Sequence, residues 1–348
     1  CLNANGGVKG RPVRYLVMDD QWNPEVSAQL AAKLVNDEKA VAIVGNASFV
    51  ECGANAATYA KAGVIALIGV GVPRECFNAS NIVATNAGPR VSTAAAAQYA
   101  AETMGAKNFV CVAPNIPNVG AWACDGVAAW ATSQGGKSTA ILIDPGSADA
   151  TSVVLQAANL KPDAIIFSLP KGLLMPMMTA AEEQGLQDKF KFLAPASGYD
   201  RTVPGALGKT WNGKFHVNME FNALDSKEAD NQNWLQVMDA YAQSGDPRDT
   251  FAQAGYLAAR VATEAMMTIE PGKISRETVT AAIGKVKKFQ SDIFCAPWYF
   301  ADKASGHYPN STTRMAVTDN GSWKPVSACR ASADPELASV RAYEKTIG

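Results

Sequence analysis

The sequence predicts an α/β fold of two Rossmann-like lobes with parallel sheets and a ligand cleft between them. Three observations carry that expectation. Short apolar runs rich in β-formers alternate with amphipathic helices. The alternation comes in two series, the second beginning at Val91. No low-complexity linker separates the series, so each lobe is expected to be discontinuous along the chain: residues 1–88 with 222–312, and 89–221 with 313–348.

In the first series, Gly6-Gly7 suits the end of a helix, and Val13 to Met18 reads as a strand between Pro12 and Asp19-Asp20. Pro24-Glu25 opens a helix whose Val26, Leu30, Ala31, Leu34 and Val35 share one stripe. Val41 to Val44 follows as a buried strand, completing a right-handed βαβ unit. Helix Cys52 to Ala62, strand Val64 to Ile68 and strand Ile82 to Thr85 complete the series, and Asn86-Ala87-Gly88-Pro89 makes a crossing point.

The second series runs through helix Ser92–Met104, strand Phe109–Val112, helix Ala121–Ser133, strand Ser138–Ile143 and helix Thr151–Asn159. Strand Ala164–Phe167, helix Leu173–Glu183, strand Lys191–Leu193 and strand Phe215–Met219 follow, with a second crossing near Glu220 to Asp225. Helices Asn231–Gln243, Phe251–Met267 and Arg276–Ile283 precede a β-rich end at Ile293–Phe300 and Arg314–Thr318.

With 348 residues, 48% hydrophobic and 18% charged, the chain suits two globular domains. A formal net charge of -1 argues against nucleic-acid or anionic-membrane partners, which would select a basic patch. None of the seven cysteines makes a metal-ligand cluster, so no metal is expected. Three pairs are expected as disulfides: Cys52 with Cys76 at neighbouring strand ends, Cys111 with Cys124 on a strand and its following helix, and Cys295 with Cys329. The alternative is buried free thiols.

Catalytic and nucleotide motifs are weak, and no enzyme activity or cofactor is expected. Gly69-Val70-Gly71 follows a strand, but Arg74 stands where a dinucleotide fingerprint needs its third glycine. Gly136-Lys137-Ser138 joins a helix to a strand, the reverse of a P-loop. His216 and His307, the two histidines, have no serine or acid in nucleophile spacing. Asp19-Asp20 reads as a solvated turn rather than a metal pair, because adjacent strand residues face opposite ways.

A binding site is better supported. In open α/β sheets ligands sit beyond the carboxyl ends of strands, near free helix N–H groups. Those positions are Asn46, Ser48 and Phe49; Val70, Gly71 and Val72; Asn118; Pro170 and Lys171; Ser197 and Tyr199; the helix start at Phe251 and Gln253; and Trp22 on the same rim.

The N-G-G-V-K-G-R-P segment from Asn5, Asp19-Asp20, Pro24, the V-G-N-A-S-F run from Val44, Tyr59 and Gly63 resemble the type I periplasmic solute-binding proteins of the leucine/isoleucine/valine-binding group. The resemblance continues through Asp163 to Ser168, Glu182 to Leu186 and the F-A-Q-A-G-Y-L-A-A run from Phe251, so it covers nearly the whole chain. It implies a monomeric extracytoplasmic receptor whose lobes, joined by a three-strand hinge, close on a small molecule and present it to an ABC permease. It also implies an upstream signal peptide and a preceding βα unit of roughly thirty residues. The strand of that unit would fill a slot of about 10 Å between the runs at Val13 and Val41. Cys1 to Asn5 would then be the last turn of a helix rather than a lipidated terminus.

Departures from the family pattern bear on the ligand. Of the serine or threonine pair that amino-acid binders carry after the third strand, Ser48 remains and Phe49 replaces its partner. Pro170 and Lys171 stand where an aromatic is usual, and Ala196 or Ser197 stands where a carboxylate meets the α-ammonium. A buried ammonium without a counter-charge is costly. Phe49, Tyr199, Phe251 and Trp22 instead suit a flatter guest such as a small organic acid, aromatic ones included, with Lys171 for its carboxylate. The alternatives are a branched-chain amino acid binder and an amide-responsive sensor on the same fold.

Overall fold

The computed structural model describes residues 1–300 and 307–347; the stretch 301–306 of the expected N-terminal lobe and residue 348 lie outside the described residues. The chain divides into two compact units, Cys1–Gly88 with Leu224–Asn310 and Tyr343–Gly348, and Pro89–Ala223 with Ser311–Ala342.

In the first unit, helix α1 spans Pro24–Ala32 and is capped by Asn23, whose Oδ1 accepts from the N–H groups of Glu25 and Val26 at 2.9 and 3.1 Å. Strand β1 is Ile43–Val44, helix α2 Glu51–Ala62, strand β2 Ala66–Ile68, helix α3 Glu75–Asn78 and strand β3 Ile82–Ala84. The three strands form a parallel sheet in the order β1-β2-β3. Every residue of β2 and β3 is buried, as expected where helices cover both faces of a parallel sheet. Gly71 allows a tight approach beyond β2, since a Cβ there would lie 2.8 Å from the Ala84 Cβ and 2.9 Å from that of Cys76. Cys52 and Cys76 are joined, tying α2 to α3 with Cα atoms 5.2 Å apart.

One expected strand of this unit is not a strand. Residues 12–20 run without bend, turn or ladder pairing. Tyr15 is 53% and Val17 90% exposed, whereas Leu16, Met18 and Asp20 are half-buried. The two-residue alternation of a strand is present, but β-propensity alone does not make a strand without an adjacent ladder.

The second unit contains helix α4 (Pro89–Met104), strand β4 (Asn108–Pro114), helix α5 (Gly120–Ser133), strand β5 (Lys137–Ile143) and helix α6 (Ala150–Asn159). It continues with β6 (Ala164–Phe167), α7 (Lys171–Glu183), β7 (Lys191–Ala194), α8 (Val203–Leu207) and β8 (Phe215–Met219). The chain then adds α9 (Ala229–Tyr241), α10 (Thr250–Met267) and α11 (Arg276–Gly284) to the first unit. It returns to the second through β9 (Thr312–Asp319), β10 (Ser322–Pro325) and β11 (Arg330–Ala331), and α12 (Ala338–Ile347) follows.

The second sheet has the order β10-β9-β8-β7-β6-β4-β5, with β11 also paired to β9. Strands β4 to β8 are parallel, and β9 is antiparallel to β8, β10 and β11. Its core packs α4 and α5 against β4, with Trp130 edge-on to Phe109 at 5.9 Å and Cys111 bonded to Cys124. Cys295 and Cys329 each take part in a disulfide, and Cys1 is free and exposed.

The expected strand at Ile293–Phe300 is reduced to isolated pairing, such as the bridge between Phe289 and Trp298. Pro297 removes a ladder donor inside that run, and the Trp298 indole N–H turns to the Ala84 carbonyl at 2.8 Å.

Candidate functional site

The candidate residues of the first unit gather at the carboxyl ends of β1 and β2. The Val70 N–H donates to the Asn46 carbonyl at 2.9 Å, and Ala47 bridges Val70, so the two loops are zipped together. The Gly71 N–H donates to Asn86 Oδ1 at 2.7 Å, fixing the next turn with Val72 beside it. Ser48 Oγ accepts from the N–H groups of Val50 and Glu51, each at 3.1 Å, and donates to Asp20 Oδ2 at 2.6 Å. Its hydroxyl therefore ties a helix start to the Asp19-Asp20 turn.

That turn presents an aromatic pair. Asp19 and Asp20 accept from the N–H groups of Gln21 and Trp22 at 2.8 and 3.0 Å. Gln21 and Trp22 both adopt left-handed backbone, with φ of 52° and 53°, a conformation that costs roughly 1–2 kcal/mol per non-glycine residue. The Trp22 ring lies edge-on to Phe49 with centroids 4.7 Å apart, and Trp22 is 59% exposed. Trp22 is thus an exposed aromatic surface held by strained backbone and backed by a second ring.

Behind it lies a polar cluster. Glu51 is 5% exposed and accepts hydrogen bonds from Asn46 Nδ2 and, at 2.8 Å, from the Tyr59 hydroxyl. Burial pushes the Glu51 carboxyl up, against the pull of those two donors, and the Asp20 charge adds to the rise. Burial and the adjacent Glu51 likewise push Tyr59 up. Neither Glu51 nor Tyr59 was among the residues expected at the site. The signal available was the Ser48-x-x-Glu51 spacing of a capping box. Glu51 departs from that motif by turning its carboxylate to Asn46 and Tyr59.

Two further candidates lie at the start of α10. Phe251 is 49% exposed, following the Asp249 cap. Gln253 is fully buried and its amide donates to Asn231 Oδ1 at 2.7 Å, so it is part of the packing between α10 and α9.

In the second unit, Pro170 and Lys171 start α7 beyond β6, and Ser197 and Tyr199 follow β7. Ser197 Oγ donates to the Leu169 carbonyl at 2.9 Å, joining these loops. Tyr199 is buried and tilted against Trp323, with centroids 5.7 Å apart. Lys171 is not an unmatched cation: its Nζ is 3.0 Å from Asp200 Oδ2 and 2.5 Å from Thr202 Oγ1. Burial acts to raise Asp200, but Thr202 and Lys171 outweigh it and hold the carboxyl below its ordinary range. Asn118, after β4, takes left-handed backbone with φ of 59° just before α5.

No group of His, Cys, Asp and Glu among the described residues has the arrangement of a metal site, and no helix among them is long and apolar enough to cross a membrane.

The model of one protein family, described as periplasmic binding protein, matches residues 1–322. No curated protein matches the chain. Among solved structures, an ABC transporter solute binding protein from R. palustris in complex with 4-hydroxybenzoate has a TM-score of 0.81 at 19% identity, covering 98% of this chain and 92% of that one. A second from R. palustris, in complex with benzoate, has a TM-score of 0.78 at 19% identity, covering 97% and 91%. The branched-chain amino acid transporter substrate binding protein LivJ from Streptococcus pneumoniae, in complex with isoleucine, has a TM-score of 0.76 at 16% identity, covering 95% and 90%. At these identities the likeness is one of fold.

Proposed function

This chain belongs to the periplasmic binding protein family, and from that premise we propose that it is the extracytoplasmic solute receptor of an ABC importer. It acts as a monomer and delivers a small planar organic acid to a membrane permease without altering it. The observation that carries the ligand class is the Trp22–Phe49 pair, edge-on at 4.7 Å with Trp22 largely exposed. Phe49 takes the place of a hydroxyl that an amino-acid binder would use, and Ser48 is already committed to Asp20. An apolar ring gains from this platform, whereas an α-amino acid finds fewer polar partners there.

The remaining candidates fit that reading. Helices α5 and α7 begin just beyond the carboxyl ends of β4 and β6, where free N–H groups favour a carboxylate. Lys171 would serve a carboxylate only by exchanging Asp200, so backbone donors are the better anion contacts. The structural likeness to receptors that carry benzoate and 4-hydroxybenzoate is consistent with a guest of this class.

A thermal-shift screen tests the reading with benzoate, hydroxybenzoates, aliphatic acids, and leucine, isoleucine and valine as probes. A ligand at a hundredfold excess over its Kd stabilises by about 2.7 kcal/mol. Aromatic acids are expected to raise Tm and Trp22→Ala to remove the effect. Stabilisation by the branched-chain amino acids alone would overturn the proposal.

A further inference from the structure

Three Asn-Gly dipeptides occur in the chain, at 5–6, 212–213 and 320–321. The second and third, 108 residues apart, clasp each other in the second unit. The Asn320 N–H donates to Asn212 Oδ1 at 3.0 Å, and Asn212 Nδ2 donates to Asn320 Oδ1 at 3.2 Å. Asn320 Nδ2 also donates to Asp319 Oδ1 at 2.8 Å. Both side-chain amides are thus restrained by hydrogen bonds.

Their glycines differ. Asn320-Gly321 is the two-residue turn between β9 and β10, closed by the pairing of Asp319 with Ser322. The φ values of 48° and 79° are both positive, as a type I′ turn needs. Asn320 and Gly321 are exposed, and the Gly321 N–H makes no hydrogen bond among the described residues. The Gly213 N–H, by contrast, donates to the Thr318 carbonyl at 2.8 Å. In the first unit, the Gly6 N–H is likewise engaged, with the Asn3 carbonyl at 3.2 Å.

That difference governs a reaction to which Asn-Gly pairs are prone. The glycine nitrogen gives its proton to hydroxide and attacks Cγ of the preceding asparagine. A C–N bond forms, and the side-chain nitrogen leaves as ammonia. The resulting succinimide takes up one water at either carbonyl and opens to aspartate or isoaspartate. The balance is asparagine plus water giving ammonia plus the acid. Glycine permits the attack because it has no Cβ to crowd the nitrogen. A nitrogen whose proton is held by a carbonyl must lose that bond first.

We propose that Asn320 is a site of spontaneous deamidation, whereas its clasp partner Asn212 is protected by the bond from Gly213 to Thr318. Conversion places a second carboxylate beside Asp319, and the isoaspartyl product adds a methylene to the backbone of a two-residue turn. Both changes loosen the β9–β10 hairpin. Trp323 of β10 carries the effect inward, since its indole N–H donates to the Asp200 carbonyl at 2.8 Å and its ring lies against Tyr199.

Peptide mapping by mass spectrometry tests this on the protein incubated in mildly alkaline buffer, once native and once unfolded in urea. In the native protein Asn320 should convert about tenfold faster than Asn212, the factor that one intact hydrogen bond makes in a rate. In urea the Gly213 bond is gone, and the two should convert at similar rates. The proposal is overturned if native Asn320 stays unconverted, or if the ratio of the two rates is the same in both states. The converted protein, separated by its added charge, supplies a second readout: backbone amides of residues 322–324 should exchange faster than in the parent. Unchanged exchange there would overturn the link to Trp323. Neither readout involves a ligand, so this proposal and the receptor reading can fail separately.

Discussion

Arg90 and Asp334, 244 residues apart, form a two-point buried ion pair in the second unit, with Nε to Oδ2 at 2.6 Å and Nη2 to Oδ1 at 3.2 Å. Asp334 is fully buried and also accepts from the Glu336 N–H at 3.0 Å, so one carboxylate anchors α4 and caps the turn that leads into α12. Glu336 adds a second, more exposed partner for Arg90 at 3.1 Å.

Asp334→Ala should destabilise the protein by about 3–5 kcal/mol, because it leaves a buried guanidinium short of its main counter-charge. Urea denaturation of the variant measures this. A loss under about 1 kcal/mol would mean that Glu336 alone compensates Arg90.

The Cys111–Cys124 disulfide closes a loop with a sequence separation of 13, and Cys52–Cys76 one of 24. Chain-entropy reasoning assigns each about 3 kcal/mol, slightly more to the longer loop. Paired alanine variants in denaturant should show that order. A larger loss at Cys111–Cys124 would point to packing in the α5–β4 core as the governing factor.

His216 is depressed from 6.5 to about 4, first by burial and then by the Lys191 charge, with the Lys214 backbone contact opposing. Folded His216 stays neutral where the unfolded residue would bind a proton, so stability falls as pH drops from 6.5 toward 4. The slope is at most about 1.4 kcal/mol per pH unit. An NMR titration should place the imidazole midpoint near the lower value; a midpoint at 6.5 would contradict the burial.

Glu51 has the opposite sense. Its raised pKa lets the folded state keep a proton that the unfolded chain has lost, so stability falls as pH rises through the ordinary carboxylate value of 4.5 and above. Glu51→Gln keeps an acceptor for Asn46 and Tyr59 while removing the charge. The variant should be at least as stable as the parent at pH 7 and should flatten this pH dependence. A clear loss of stability at pH 7 would show that the carboxylate itself is required.

Much of the fold was legible because its signals are local. The period of Ala31 on α1 and Val35 in the helical turn that follows it, the Pro24 start and the apolar runs at Ala66–Ile68, Ala164–Phe167 and Phe215–Met219 depend only on neighbouring residues. The candidate residues were assigned to loops, since strand carboxyl ends follow from strand order. Gln253 and Lys171 show where that reasoning stops. Their partners, Asn231 and Asp200, lie 22 and 29 residues away, and nothing in the local pattern says that their polar groups are already taken.

The sequence by itself determined the α/β alternation and the family, because periodicity and turn residues are carried by adjacent positions. Tertiary structure decided which apolar run becomes a strand, which polar groups stay open and where buried charge is matched. Val13 to Met18 has the composition of a strand and its alternation, yet it lacks a ladder, because a strand exists only beside another strand. Arg90 meets Asp334 for the same reason: desolvation makes a buried charge depend on a partner that only the folded chain brings near.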